Sequence, residues 1–199
     1  MATEVHRRAE SHGWRLAAFA FLPLVAALIV APASAQEPAV EFMKQASREL
    51  IAAAKSGNPE DFIEVIQKRG HVPAIGLYAL GNYKVHLKAT DRSTYYGGMV
   101  RFIARYAATE APKYAVSHAE IMSPPIKEGV GLYVDSRVHL KSGTSYDVRW
   151  LLVPQGNSFR IRDAQVLGFW MSPFLKNLFE SYIGENGGNP KALVIALNR

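Results

Sequence analysis

The chain predicts an α+β fold, a layer of helices packed on one face of a curved, four-stranded antiparallel sheet. Apolar residues recur at helical spacing through the first half of the chain and switch to alternation after Pro112. Short turns then join consecutive strands, as antiparallel pairing allows. Helices first and strands after them segregate into two layers.

Residues 1–35 precede that fold. Arg7, Arg8 and Arg15 make a basic start, Leu16 to Val30 is an uncharged apolar run, and Ala33-Ser34-Ala35 supplies small residues. This is the pattern of a secretory signal peptide cleaved after Ala35. The run, about 15 residues, is short for a membrane span, which takes about 20. The expectation is an exported, periplasmic protein with residues 36–199 as a single domain. The chain has no cysteine, which excludes disulfides and lipoprotein processing. Three arginines and two glutamates leave with the leader, taking the net charge from +6 to +5. In an exported protein that balance suits anionic lipid surfaces or acidic partner proteins rather than nucleic acid.

The first helix is read from Val40, Phe42, Met43, Ala46, Leu50 and Ile51, with Gly57 as its stop. Asn58-Pro59 restarts the chain, Glu60 and Asp61 sit at the positive end of the helix dipole, and Gly70 ends the helix. Phe62, Ile63, Val65 and Ile66 are its buried face. Pro73 to Leu80 is nearly all apolar, which predicts a helix buried all round. Gly81-Asn82 breaks or kinks it, and Tyr83 to Ala89 continues. Asp91 is placed to cap a helix over Arg92 to Thr109, striped by Tyr95, Met99, Phe102, Ile103 and Tyr106, with Arg101 and Arg105 one turn apart. Gly97-Gly98 inside it costs about 1 kcal/mol per glycine. The pair therefore predicts close approach of another backbone or of a ligand, tight helix packing being the simpler reason.

Tyr114 to Met122 is a weakly patterned strand ended by Pro124-Pro125. Val130, Leu132, Val134, Val138 and Leu140 then alternate with Tyr133, Asp135, Arg137, His139 and Lys141, one face buried and one wet. Ser142-Gly143 turns into a strand whose inward residues are Tyr146, Val148, Trp150 and Leu152. Gln155-Gly156-Asn157 turns into the last strand. There Phe159, Ile161 and Asp163 share a face before the apolar phase moves to Ala164 and Val166, predicting a bulge at Asp163-Ala164. Gly168 and the run Phe169-Trp170-Met171 lead to a helix that Ser172 is placed to cap, with Pro173 in its first turn. Phe174, Leu175, Leu178, Phe179 and Tyr182 recur along it. A closing helix starts at Asn189-Pro190 and carries Leu193, Val194 and Leu197.

Reactive motifs are missing: no G-x-S-x-G, no cysteine, and no serine with an obvious base nearby. Gly129-Val130-Gly131 lacks the third glycine and the following helix of a dinucleotide site. His71, His86, His118 and His139 are scattered without metal-ligand spacing, although His118 and His139 can meet across neighbouring strands. Asp147 with Asp163, or Asp163 with His118, are the polar pairs an enzyme would need. The expectation is a non-enzyme. What remains is an excess of large apolar residues, which either fill a core or surround a cavity. In the second case Tyr83, Met99, Phe102, Tyr106, Val134, Trp150, Phe169, Met171 and Phe174 are the lining.

In order and spacing the chain resembles the MlaC, or toluene-tolerance, family of periplasmic lipid-binding proteins, soluble components of ABC-type lipid transport systems. The resemblance runs nearly end to end over residues 36–199. It is carried by Phe42-Met43, the run Ile75-Gly76-Leu77-Tyr78-Ala79-Leu80-Gly81-Asn82-Tyr83, Phe102 and Tyr106. Further on, Phe159-Arg160-Ile161-Arg162-Asp163, Val166-Leu167-Gly168 and Leu193 complete it. It implies a cone like that of nuclear transport factor, enclosing a deep apolar pocket for phospholipid acyl chains and leaving the headgroup near solvent. Leu80, Val138, Val166 and Leu178 join the implied pocket. The implied protein is a monomer with no cofactor beyond its cargo. It ferries phospholipid between an outer-membrane lipoprotein complex and an inner-membrane ABC transporter, and so maintains outer-membrane lipid asymmetry. Where many relatives have a serine-rich turn followed by Tyr-Arg, this chain has Trp170-Met171-Ser172-Pro173-Phe174, which leaves a hopanoid-type ligand as an alternative cargo. A pocketless interaction module is the other alternative. The expected moving parts of a carrier are the helix after Ser172 and the Gly81-Asn82 break, with Arg101 and Arg105 assisting docking.

Overall fold

The computed structural model describes residues 36–199 except Ser123 and Val130. The leader read over residues 1–35 lies outside the described residues. Four helices come first: α1 (Gln36–Ser56), α2 (Pro59–Arg69), α3 (Val72–Ala79) and α4 (Arg92–Glu110). Six strands follow, β1 (Val116–Ile121), β2 (Ile126–Glu128), β3 (Gly131–Leu140), β4 (Ser145–Gln155), β5 (Ser158–Val166) and β6 (Phe169–Trp170), then α5 (Met171–Glu185) and α6 (Pro190–Leu197). All strand pairs are antiparallel, in the order β1-β3-β4-β5-β6, with β2 also on β3.

The α+β expectation thus holds, with six strands in place of four. Pro124-Pro125 interrupts an edge rather than ending it. β1 pairs with Ser136 to Leu140 and β2 with Gly131 to Tyr133, end to end along the same side of β3, because proline cannot donate to the ladder between them. β6 is a two-residue return after Leu167-Gly168. On β3 the alternation holds, with Leu132, Val134, Ser136 and Val138 buried. The phase change in β5 falls one residue earlier than expected. Leu152 pairs with Ile161 and Leu151 with Asp163, so Arg162 is the extra residue of the bulge.

Caps explain most helix starts. Asn58 Oδ1 accepts from the Glu60 amide at 3.3 Å, and Asn189 Oδ1 from the Lys191 amide at 3.0 Å. Asp91 stands at the start of α4 but makes no capping bond. Ser172 is not the cap of α5 either. The helix begins at Met171, and Asp163 Oδ1, reaching across from β5, accepts from the Ser172 amide at 2.9 Å. α3 is not buried all round: Tyr78 is 41% exposed. The segment expected to continue it winds instead as two short 3₁₀ turns, Gly81–Val85 and Ala89–Asp91.

Three apolar clusters form the core. One joins α3, α4, α5 and α6 through Leu80, Tyr95, Met99, Phe179 and Ile183. A second packs α1 on the sheet through Phe42, Met43, Val134, Leu152 and Phe159. The third holds α1, α2 and α4 together through Ala53, Phe62, Val65 and Ala104. Tyr95 is fully buried, and its hydroxyl donates to the Gly76 carbonyl at 2.9 Å. Burial pushes that phenol well above the usual tyrosine range.

The two glycines of α4 differ. A Cβ on Gly98 would meet Leu197 Cβ at 2.8 Å and the Asn198 amide at 2.7 Å, so this glycine lets the end of α6 lie against α4. A Cβ on Gly97 would meet only the tip of Arg101, at 3.4 Å. Gly97→Ala is therefore expected to stabilise the fold by about 1 kcal/mol, and Gly98→Ala to destabilise it by about 1–3 kcal/mol. Urea unfolding midpoints of the two variants check this, and shifts of the same sign would contradict it.

Candidate functional site

Between the three clusters the interior is unfilled. A cavity of about 370 Å³ lies between the sheet and the helical layer. Leu50 and Ala54 of α1, Phe62 of α2 and Ala107 of α4 face Val138, Val148, Trp150 and Val166 across it. A second, of about 480 Å³, lies between α2, α3, α4, β5 and α5, walled by Val65, Ile75, Phe102, Ile103, Ala164, Phe174 and Leu178. Leu50, Tyr106 and Trp150 line both, so these three side chains are a shared partition. Each volume falls in the range of roughly 300–1,000 Å³ typical of small-molecule sites, and the walls are mostly apolar with a few polar groups.

Several of those polar groups are engaged within the protein. Trp150 Nε1 donates to Ser136 Oγ at 2.9 Å, and Ser136 Oγ donates to the Val148 carbonyl at 3.3 Å, which fixes the indole in the partition. Arg69 forms two bonds with Glu49, Nε to Oε2 and Nη2 to Oε1, each 2.7 Å, and lies 5.2 Å from the Phe42 ring centre. These bonds, with another from Lys68, pull the Glu49 carboxyl from 4.5 to about 2 against the opposing effect of its partial burial. Asp163 accepts from the amides of Ala164 and Ser172 and pins the start of α5 to β5.

Of the residues assigned to a pocket from sequence, Phe102, Tyr106, Trp150, Met171, Phe174 and Leu178 line the second cavity, and Tyr106, Val138, Trp150 and Val166 the first. Five lie elsewhere. Leu80 and Met99 are fully buried in the helical core, Val134 is fully buried under α1, and Tyr83 packs against the helical core. Phe169 is 73% exposed beside the turn. Leu50, Val65 and Ile75 carry only helical spacing in the sequence, and the three-dimensional gap between the layers turns them into a wall.

Gly81 is not a free hinge. Its φ is +53°, a Cβ there would overlap the Glu180 carboxylate, and that carboxylate accepts from the Asn82 amide at 3.0 Å. Arg101 is tied to Asn198, while Arg105 is exposed beside Tyr106. The carboxylate pairs are not assembled: Asp147 is bridged to Arg137 at 2.8 Å, and Asp163 caps α5. His118, on β1, is separated from β5 by two strands, β3 and β4.

His118 and His139 meet across neighbouring strands as expected, but the serine and the glutamate that join them were not legible. His139 Nδ1 lies 2.8 Å from Ser145 Oγ and its Nε2 lies 2.9 Å from Glu120 Oε1, while His118 stacks on the same ring with 4.4 Å between centres. The chain does hold a serine beside a base. It sits on the alternate face of β1, β3 and β4, among the exposed pairs Arg137–Asp147 and Arg149–Asp135, and none of its members lines either apolar cavity. Cross-strand register brings these residues together, with His118 opposite His139 and His139 opposite Ser145. Among the described residues no group of three or more His, Cys, Asp or Glu is arranged to hold a metal ion.

No protein-family model matches the chain, and no curated protein matches it in sequence. In fold it is similar to a phospholipid-binding protein from Ralstonia solanacearum, solved in complex with a phospholipid. The TM-score is 0.63 at 19% identity, over 80% of this chain and 94% of that one.

The Glu49–Arg69 pair on the rim of the second cavity sets an acid limit. A carboxyl whose folded pKa lies below its unfolded one contributes stability that is complete above the unfolded value and is lost as pH falls toward the folded value. Here that window runs from about 4.5 down to about 2. Glu49→Gln is expected to be less stable at neutral pH and to lose less than the parent chain across the window. Parallel loss in the two proteins, followed by urea midpoints against pH, would refute the assignment.

Proposed function

We propose that the chain is a non-catalytic phospholipid carrier of the MlaC type, exported to the periplasm and holding acyl chains in the paired apolar cavities. The observation that carries this reading is the pair of cavities itself: two apolar spaces meeting at Leu50, Tyr106 and Trp150, with the indole N–H between them bonded to Ser136. Such walls offer hydrocarbon a place and give water little to bond to. The likeness in fold to a protein that holds a phospholipid supports the same reading.

The carrier shuttles its cargo between an outer-membrane lipoprotein complex and an inner-membrane ABC transporter. Each methylene removed from water contributes about 0.8 kcal/mol. Two chains of about sixteen carbons would nominally give some 20 kcal/mol or more, near the ceiling of non-covalent affinity. Release into water is then too slow for a shuttle, and a docked partner must offer a continuous apolar path.

Native mass spectrometry of the protein purified from cells, followed by lipid extraction, is expected to show the mass of one bound phospholipid. A sterol-like extract would transfer the cavities to a hopanoid-type cargo. An apo mass that persists after incubation with phospholipid vesicles would overturn the carrier reading.

A further inference from the structure

The turn between β5 and β6 breaks a local rule. Leu167 has φ +51° and Gly168 φ +85°, as a two-residue type I′ hairpin requires at both central positions. Asn or Asp is favoured at the first of these, because a leucine Cβ crowds the backbone there. This leucine is also 70% exposed, so the side chain is unfavourable both for the backbone it sits on and for the solvent it meets. Gln165 Nε2 donates to the Gly168 carbonyl at 3.1 Å and holds the turn.

Leu167 has exposed apolar company. Phe169 is 73% exposed, Phe174 59%, Leu178 42% and Met171 39%. Phe169 pairs across the turn with Val166, a wall of the first cavity, and Met171, Phe174 and Leu178 line the second. The patch is therefore continuous with the rim of the interior. From Ala164 to Phe179 there is no carboxylate, and Arg105 stands exposed beside Tyr106, which borders both cavities. Residues 36–199 carry a net charge of +5.

We infer that the Leu167-Gly168-Phe169 tip, with Phe174 and Leu178 behind it, is a membrane-contact surface that inserts shallowly into an anionic lipid bilayer. Exposed leucine and phenylalanine gain from entering the headgroup boundary, and the net positive charge of residues 36–199, with no carboxylate from Ala164 to Phe179, adds attraction to an anionic surface. The inference rests on the carrier reading for its purpose, since it places the mouth of the cavities against a lipid source.

Vesicle flotation of the purified protein tests it, using pure phosphatidylglycerol and pure phosphatidylcholine vesicles, with Leu167→Asn and Phe169→Ser compared. The parent chain is expected to float with phosphatidylglycerol and to be released by salt. Each variant should lose that association about tenfold or more, with co-purified lipid unchanged by native mass spectrometry. Leu167→Asn should also melt no lower than the parent, because asparagine suits the turn. No flotation with phosphatidylglycerol would assign the patch to a protein partner and overturn the inference. Undiminished flotation of Leu167→Asn would overturn it too, as would loss of cargo in step with flotation. Leu167-dependent flotation by a chain that holds no lipid would uphold the contact while removing the carrier reading.

Discussion

The extra residue at Arg162 sets the facing of every side chain that follows it in β5. Continued at a period of two from Phe159 and Ile161, the strand would turn Asp163 and Gln165 inward and present Ala164 and Val166 to water. The bulge reverses this. Ile161 stays with the α1 cluster, opposite Leu152, while Ala164 faces inward opposite Trp150 and Val166 opposite Val148. Asp163 is left where its carboxylate meets the Ser172 amide in the first turn of α5. One inserted residue thus sets Ala164 and Val166 on the cavity walls and leaves Asp163 to anchor the helix beside them.

The apolar residues are numerous enough to fill a core, yet they gather into three clusters rather than one. Two features hold the middle open. Trp150, fixed by its bond to Ser136, stands as a rigid partition, and Arg69, locked to Glu49, occupies a rim position where an apolar side chain could otherwise collapse inward. An unfilled apolar space deprives its walls of dispersion contacts and gives water too few bonds to replace them. A protein that maintains one is more stable with something hydrocarbon-like inside it.

Periodicity made the layers legible: helices before Pro112, alternation after it, and caps at Asn58 and Asn189. It did not reveal β2 or β6, because three- and two-residue strands carry no periodic signal and borrow their pairing from longer neighbours. Ser172 and Asp91 looked like caps by residue type. The α5 cap came instead from Asp163, nine residues upstream and folded back by a hairpin, which local rules do not reach. The cavity was legible in part. Phe102, Tyr106, Trp150 and Phe174 could be named from their size and position, but the same pattern also selected Leu80, Met99 and Val134. Whether an inward residue meets another side chain or an empty space depends on the distance between layers. Sequence spacing is silent about that distance, as it is about the register that sets Ser145 and Glu120 against His139.

α5 is held along its length. Asp163 holds its first turn, Glu180 bonds the 3₁₀ turn after α3, and Phe179 and Ile183 are buried against α3, α4 and α6. With α5 anchored this way, the groups left free at the aperture are exposed side chains such as Phe174 and Leu178, whose rotamers reorient in picoseconds to nanoseconds. Side-chain motion of that kind is too fast to limit unassisted escape from the proposed carrier. The slow step is the wetting of hydrocarbon as it leaves. Unassisted escape should therefore follow chain length, slowing about fourfold with each added methylene, so that the cargo itself sets its residence time.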